Sequence, residues 1–212
     1  MNVTNSLPHD DAHPPGLRER KKRLVQVTIE EAALQLFQQR GYERTSIQDI
    51  ADAVMMSPRT FFRYFASKEE VLFGPMRAIQ SDALRKLEHV ASTASPHVAL
   101  RTIFTYLASG YQQQRASFLI RYQVALGTPS IASIYLYALT ETEPEICAAL
   151  CSHLEAAANR NQIRFLVAVY MAALRVSIEE WLEHEASDDL VALLGEHLDK
   201  LSSLPLNHNQ ER

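Results

Sequence analysis

The chain has 212 residues, 47% of them apolar and 22% charged, with a net charge of −4. That length suits one large domain or two small ones, and the balance is that of a globular protein rather than a disordered or membrane-embedded one. No apolar run approaches the roughly 18 residues of a membrane helix, the N-terminus is polar and Pro-rich, unlike a signal peptide, and two cysteines in all point to a reducing cytoplasm.

The charge is unevenly spread. Residues 16–68 hold ten Lys/Arg against six Asp/Glu, whereas residues 69–212 hold eleven against seventeen. A basic end joined to an acidic body is the footprint of a protein that presents one face to phosphate.

Residues 1–15, with His9, His13 and three prolines, read as a disordered arm. A helix is predicted over 17–40, with Val25, Ile29, Ala32, Ala33, Leu36 and Phe37 on one side and Gly41 ending it. Its start carries Arg18, Arg20, Lys21, Lys22 and Arg23, either a solvated helix end or a phosphate or minor-groove contact. Ile47, Ile50, Ala51 and Val54 recur at helical spacing behind an N-cap at Thr45 or Ser46. After Met55 and Met56, Ser57 and Pro58 restart the chain as N-cap and first helical residue. In the next helix Phe61, Phe62 and Phe65 are expected inside, leaving Arg59, Thr60, Arg63 and Tyr64 outward. Such a face suits the major groove: Arg bonds guanine, Thr touches a thymine methyl and Tyr reaches a phosphate. Ser67 then caps a helix beginning KEEVL, with Glu70 placed for a capping box.

Residues 18–73 closely resemble the DNA-binding domain of the TetR family. The pattern stands here as Phe37, Gly41, Tyr42, Thr45, Ser46, Ile50, Ala51, Phe61, Phe62, Phe65, Ser67, Lys68 and Glu69. One departure is Met55, where the family usually has a turn glycine. A positive φ there would cost roughly 1 kcal/mol, unless the turn takes another geometry.

The body after residue 70 shows no useful strand alternation, so the fold class is all-α, with about nine helices. Breaks are expected at Ser92–Pro96, Gly127–Ser130, Thr142–Pro144, Asn159–Gln162 and Ala186–Asp189. Helix four joins head to body, and Gly74 with Pro75 either kinks it or bends it harmlessly. Ile163, Val167, Tyr170, Leu174, Ile178 and Trp181 form one stripe, and Leu190, Leu194, Leu198 and Leu201 another. These could close the core alone or pair with a second copy; the resemblance implies a homodimer formed by the last two helices. Leu174, Arg175, Val176, Trp181, Leu182, Asp189, Leu190, Leu193 and Leu194 further resemble the acyl-CoA-responsive branch related to the mycofactocin-system regulator. Expected boundaries are an arm at 1–15, a helix-turn-helix domain at 16–68, a regulatory and dimerisation domain at 69–204 and a disordered tail at 205–212.

Phe104, Tyr106, Tyr111, Phe118, Arg121, Tyr122, Gln123, Tyr135, Tyr137, Phe165 and Tyr170 gather aromatic and polar groups that either pack the core or line a pocket. Arg121 and Arg175 lie in apolar helices, and a buried Arg demands an anion: a ligand carboxylate or phosphate, Glu155 or Glu179. Cys147 and Cys151 sit one turn apart with His153 pointing elsewhere, which falls short of a zinc site. No phosphate loop, Gly-x-Ser-x-Gly or His-Glu-x-x-His is present, so neither an enzyme nor a metal or other cofactor is expected.

The expected function is therefore a DNA-binding transcriptional regulator, a repressor that meets a palindromic operator as a homodimer and answers to an acyl-CoA or similar apolar anion. Response to another small molecule, activation, or a helical interaction module without DNA binding are the alternatives. DNA is expected at Arg18, Lys21, Lys22, Thr45, Ser46, Gln48, Ser57, Arg59, Thr60, Arg63, Tyr64 and Lys68. The effector is expected at Phe104, Phe118, Arg121, Tyr122, Phe165, Tyr170 and Arg175.

Overall fold

The computed structural model describes residues 16–152 and 160–203, with side chains for all of these but 133–141 and 201–203. The expected arm and tail, His153 and Glu155, and the side chains of Tyr135, Tyr137 and Leu201, lie outside the described residues. Those residues form nine helices and no strand: α1 (Leu17–Arg40), α2 (Ile47–Ala53), α3 (Pro58–Phe61), α4 (Lys68–Ala91), α5 (Pro96–Gln113), α6 (Arg115–Gly127), α7 (Pro129–Cys151), α8 (Arg160–Glu183) and α9 (Leu190–Ser203). No described helix is long and apolar enough to cross a membrane.

The head forms from α1 to the start of α4. Ile29, Ala33 and Phe37 of α1 meet Ile50 and Ala51 of α2, and Phe61 and Phe65 close the core from the other side. Gly41 ends α1 with φ +83°, and its N–H bonds the Phe37 carbonyl. Ser46, rather than Thr45, caps α2: its hydroxyl accepts from Asp49 N–H at 3.1 Å and its own N–H donates to the Asp49 carboxylate at 2.8 Å. That reciprocal pair satisfies two donors a helix start leaves open.

α2 ends in a Schellman motif, with Met56 N–H on the Ala51 carbonyl and Met55 N–H on that of Asp52. Met55 takes the left-handed conformation, φ +53°, that the motif requires at its position. The turn therefore keeps the glycine geometry without the glycine. α8 ends in the same pattern, with Glu185 at φ +53° and Ala186 at φ +55°.

Ser57 caps α3 through Thr60 N–H, and Pro58 opens it. Phe62 departs from expectation: it is half exposed, because a four-residue helix has room for only one buried turn, which Phe61 and Phe65 fill. At α4, Ser67 accepts from Glu70 N–H, but the Glu70 carboxylate takes the N–H of Ala66 and so does not close a capping box.

In the body α4 packs on α5 and α7, α8 on α7 and α9, and α9 on α5. A Cβ at Gly110 of α5 would meet Ile79 of α4 at 2.8 Å, so this close crossing requires glycine. The expected break at Thr142–Pro144 is absent. α7 runs through Pro144, and Ile146 and Leu150 beyond it are buried, so packing offsets the one backbone bond that proline removes. A break the sequence did not announce falls at Gln114, between α5 and α6.

Both C-terminal stripes close the protomer's own core. Ile163, Val167, Tyr170, Leu174, Ile178 and Trp181 of α8, and Leu190, Leu194 and Leu198 of α9, are all buried. Of the apolar residues that α8 leaves exposed, Phe165 and Val176 lie on its outer surface, whereas Ala168 and Ala172 line a cavity between the body helices. Phe165 is 70% and Val176 40% exposed.

Candidate functional site

Two sites emerge, one on the head and one in the body. On the head, residues 58–64 carry Arg59 and Arg63, both exposed, with Thr60 and Tyr64 half buried beside them. Arg63 lies over the Tyr64 ring at 5.5 Å and donates to its hydroxyl at 3.4 Å. That contact narrows the directions open to the guanidinium before any base arrives, which favours bidentate bonding. The Thr60 hydroxyl shares a 3.0 Å hydrogen bond with Ser57, so both act first in the helix start. Half-exposed Phe62 adds an apolar face that the sequence reading placed inside.

The expected phosphate contacts divide. Residues 17–24 of α1 are all exposed, so Arg18, Lys21 and Lys22 ride on a helix end that extends about 12 Å beyond the first core contacts. Ser46 and Gln48 are exposed too, although Ser46 serves as N-cap and Gln48 donates to Asp52 at 2.7 Å. Thr45 is corrected: it is buried, and its hydroxyl donates to the Gly41 carbonyl at 2.9 Å, closing the α1–α2 loop instead of facing solvent. Lys68 is corrected as well. Its ammonium donates to the Tyr42 and Thr45 carbonyls at 3.0 and 3.3 Å and lies 4.1 Å over the Tyr42 ring, so it is a strut before it is a phosphate ligand. Tyr42 in turn donates to Glu69 at 2.6 Å. Burial, then that carboxylate, push the Tyr42 phenol far above its ordinary range.

In the body a cavity of about 370 Å³ lies among α4, α5, α6, α7 and α8. Phe104, Phe118, Tyr122 and Arg175 line it as expected. So do Phe73, Met76, Arg77 and Gln80 of α4, which the sequence reading missed although their spacing of three and four marks one face of that helix. Leu107, Tyr111, Leu126, Ile146, Met171 and Ile178 add to the apolar wall, with Ala168, Ala172 and Leu174 of α8. Its polar groups include Thr142 and Glu143 of α7; Gln80 donates to the Tyr111 hydroxyl at 3.4 Å, and Arg175 pairs with Glu179 at 2.8 Å.

Three expected lining residues lie elsewhere. Phe165 is on the outer surface of α8. Tyr170 is buried beyond the wall, its hydroxyl donating to the His97 carbonyl at 3.2 Å and its ring packed on Phe104 at 5.5 Å. Arg121 is 2% exposed and points away from the cavity wall, donating to the Leu72 carbonyl at 2.7 Å, to that of Val71, and to Glu30 of α1 at 2.8 Å. Its anionic partner among the described residues is thus Glu30, while Glu179 pairs with Arg175. Burial pushes the Glu30 carboxyl above its ordinary range and the Arg121 guanidinium below its own; their attraction offsets each only in part. Arg175, by contrast, is exposed at the rim rather than buried.

Cys147 and Cys151 are free and half buried, and among the described residues no group of three or more His, Cys, Asp or Glu could hold a metal ion.

The family model for bacterial regulatory proteins of the tetR family matches residues 29–73, and that for the MftR C-terminal domain matches residues 94–204. The HTH-type transcriptional regulator TcmR of Streptomyces glaucescens is 34% identical over 186 residues, covering 84% of this chain and 82% of that one. Two solved structures share the fold. Thermus thermophilus FadR, a repressor solved with lauroyl-CoA, has TM-score 0.52 and 24% identity over 84% of this chain and 93% of its own. Bacillus subtilis FadR, solved with stearoyl-CoA, has TM-score 0.54 and 18% identity over 84% and 97%.

Proposed function

Because the chain belongs to the TetR family of bacterial transcriptional regulators, we propose that it is a ligand-responsive repressor that binds a palindromic operator as a homodimer and is released by an acyl-CoA. The observation that carries this reading is the position of the cavity. Four of its wall residues, Phe73, Met76, Arg77 and Gln80, sit on α4, whose other end is fixed to the head by the Tyr42–Glu69 and Lys68 contacts. An occupant that fits the cavity must therefore set the position of the helix that carries the head.

The chemistry favours an apolar chain with a charged end. A volume of about 370 Å³ falls within the roughly 300–1,000 Å³ of small-molecule sites, and the wall is mostly Phe, Tyr, Leu, Ile and Met. Of the lining cations, Arg175 is paired with Glu179 and Glu143 lies nearby in the wall, so Arg77 is assigned to the anionic portion. The lauroyl-CoA and stearoyl-CoA bound by the two FadR structures are ligands of that class.

DNA reading is assigned to Arg59, Arg63 and Phe62, with Arg18, Lys21 and Lys22 on phosphates and Thr45 and Lys68 as supports of the loop. The dimer face is assigned to the side of α8 that exposes Phe165 and Val176, since the stripes of α8 and α9 are buried within one protomer. A dimer also supplies what one small head lacks, two half-sites read at a fixed separation. The division into a helix-turn-helix unit ending near Lys68 and a regulatory unit beyond follows the same assignment.

The test is operator binding, by fluorescence anisotropy on a fragment selected from genomic DNA, during titration with acyl-CoAs of different chain length that include lauroyl-CoA. Loss of binding at one range of chain lengths, with a matching rise in melting temperature, is the expected result. If no acyl-CoA changes either quantity, the effector assignment falls and the DNA-binding regulator stands alone.

A further inference from the structure

Arg121 is the charged side chain that the described core encloses, and its surroundings explain why it is tolerated there. α4 continues through Pro75 without interruption. A proline inside a helix has no N–H, and its ring stands against the carbonyl four residues back. That carbonyl belongs to Val71, and it is the one to which an Nη1–H of Arg121 donates, together with the carbonyl of Leu72 at 2.7 Å. The other terminal nitrogen, Nη2, reaches Glu30 of α1 at 2.8 Å. One guanidinium thus joins three helices, and it meets α4 where that helix lacks a backbone donor of its own.

Two arms of this junction lead to the cavity and the third to the head. On α6, Phe118 and Tyr122 flank Arg121 in sequence and line the cavity. On α4, Phe73 and Met76 line it on either side of Pro75. On α1, Ile29 and Ala33 beside Glu30 are fully buried in the head core that holds Phe61. The hydrogen bond from Ser130 of α7 to Glu43 of the head, by contrast, is exposed and can be replaced by water.

We propose that Arg121 is the positioning residue through which occupation of the cavity reaches the recognition helix. The inference rests on the cavity being the effector site, though not on the effector being an acyl-CoA. A buried guanidinium has few tolerable positions: with its partners it is satisfied, and part-way between them it is both desolvated and unpaired. Its Nε already faces no acceptor among the described residues. A shift of α6 or α4 therefore either carries Glu30 and α1 with it or breaks the junction outright. Two discrete arrangements, rather than a continuous yield, are what a switch requires.

The test uses the full chain and an occupant that needs no knowledge of the natural ligand. Leu126 lies on the cavity wall and is exposed. In a background carrying Cys147→Ser and Cys151→Ser, Leu126→Cys is coupled through a mixed disulfide to a dodecyl chain or, as control, to a methyl group. Amide exchange is then read over residues 25–40 and 57–66. The dodecyl chain is expected to change head exchange about fivefold or more relative to methyl, the lower end of ordinary coupling between sites.

That difference is expected to vanish in Arg121→Met and in Pro75→Ala. The second variant guards against simple misfolding, since it returns a donor to the Val71 carbonyl and removes an interior proline, both of which strengthen α4. Retention of the full difference in either variant overturns the proposal, and so does a parent protein whose head ignores the dodecyl chain. Should lauroyl-CoA fail to bind while the tethered chain still alters the head, the acyl-CoA reading fails and the junction stands.

Discussion

Replacing Met55 isolates the energetic contribution of a single backbone conformation. Met55 sits at the left-handed position of the Schellman motif, φ +53°, with its side chain 95% exposed. Met55→Ala removes almost no packing and keeps the strain, so it is expected to lie within about 0.5 kcal/mol of the parent, as surface changes do. Met55→Gly releases the roughly 1–2 kcal/mol that a side chain costs in this region. Against that stands the greater freedom of glycine in the unfolded chain, about 0.5–1 kcal/mol. Glycine should therefore exceed alanine by about 0.5–1 kcal/mol, a rise in melting temperature of about 1–4 °C for a chain of this size. The sign is the informative part, because Ala→Gly at an exposed helical position lowers stability by about 1 kcal/mol. Thermal unfolding of both variants at one protein concentration is the assay, since association shifts the midpoint. If Met55→Gly melts below Met55→Ala, the turn does not hold the strain ascribed to it.

Arg63→Ala is expected to lose about 1–3 kcal/mol of operator affinity and to relax discrimination at one base position per half-site; unchanged affinity at matched salt would remove Arg63 from the reading face. Val176→Glu on the outer face of α8 should give folded monomers by sedimentation, whereas Leu174→Arg or Leu194→Arg, both buried, should unfold the body. Folded Leu194→Arg monomers would restore the buried stripe as the dimer face. The Tyr111 phenol, buried in the cavity wall, is pushed up to about 12 from its ordinary value of 10.0. The unfolded chain ionises first as pH rises, so this contribution is whole below about pH 10 and lost between pH 10 and 12, about 3 kcal/mol in all. Denaturant unfolding across that range should show the slope, and Tyr111→Phe should flatten it.

The head was legible in the sequence because its determinants are local. Gly41, Ser46, Ser57 and Ser67 mark helix ends by their own backbone chemistry, and each stands where expected. What failed there failed at short range: Phe61 and Phe62 are adjacent, and no pattern of spacing separates them in a helix of four residues. In the body, periodicity identified the apolar faces of α8 and α9 but not what covers them. A stripe facing α5 and a stripe facing a second copy read alike, and only Phe165 and Val176, off the stripe, betray the outer surface. Arg121 marks the limit most clearly. Its apolar neighbours announced burial, yet its partner Glu30 lies ninety-one positions away on another helix. The nearer candidates, Glu155 and Glu179, were natural choices for a reading that had only sequence distance to use.

The first half of α4 is where these strands of reasoning meet. Lys68 and Glu69 fix its start to the head, Arg121 meets it beside Pro75, and Gln80 ends the stretch that lines the cavity. From Lys68 to Gln80 the helix spans about 18 Å. A tilt of about 5° imposed at the cavity would displace the head end by about 1.5 Å over that length. In a two-fold dimer the partner moves by the same amount in the opposite sense, so the spacing of the recognition helices changes by up to about 3 Å. Half-sites lie about 34–36 Å apart along DNA, where a contact misplaced by that distance is no longer a hydrogen bond. A small occupant can therefore abolish binding without unfolding anything, provided α4 moves as a rod from Lys68 to Gln80. Pro75 leaves the Val71 carbonyl of that rod without a backbone donor, and the guanidinium of Arg121, which takes up that carbonyl, ties the rod to α6 and α1.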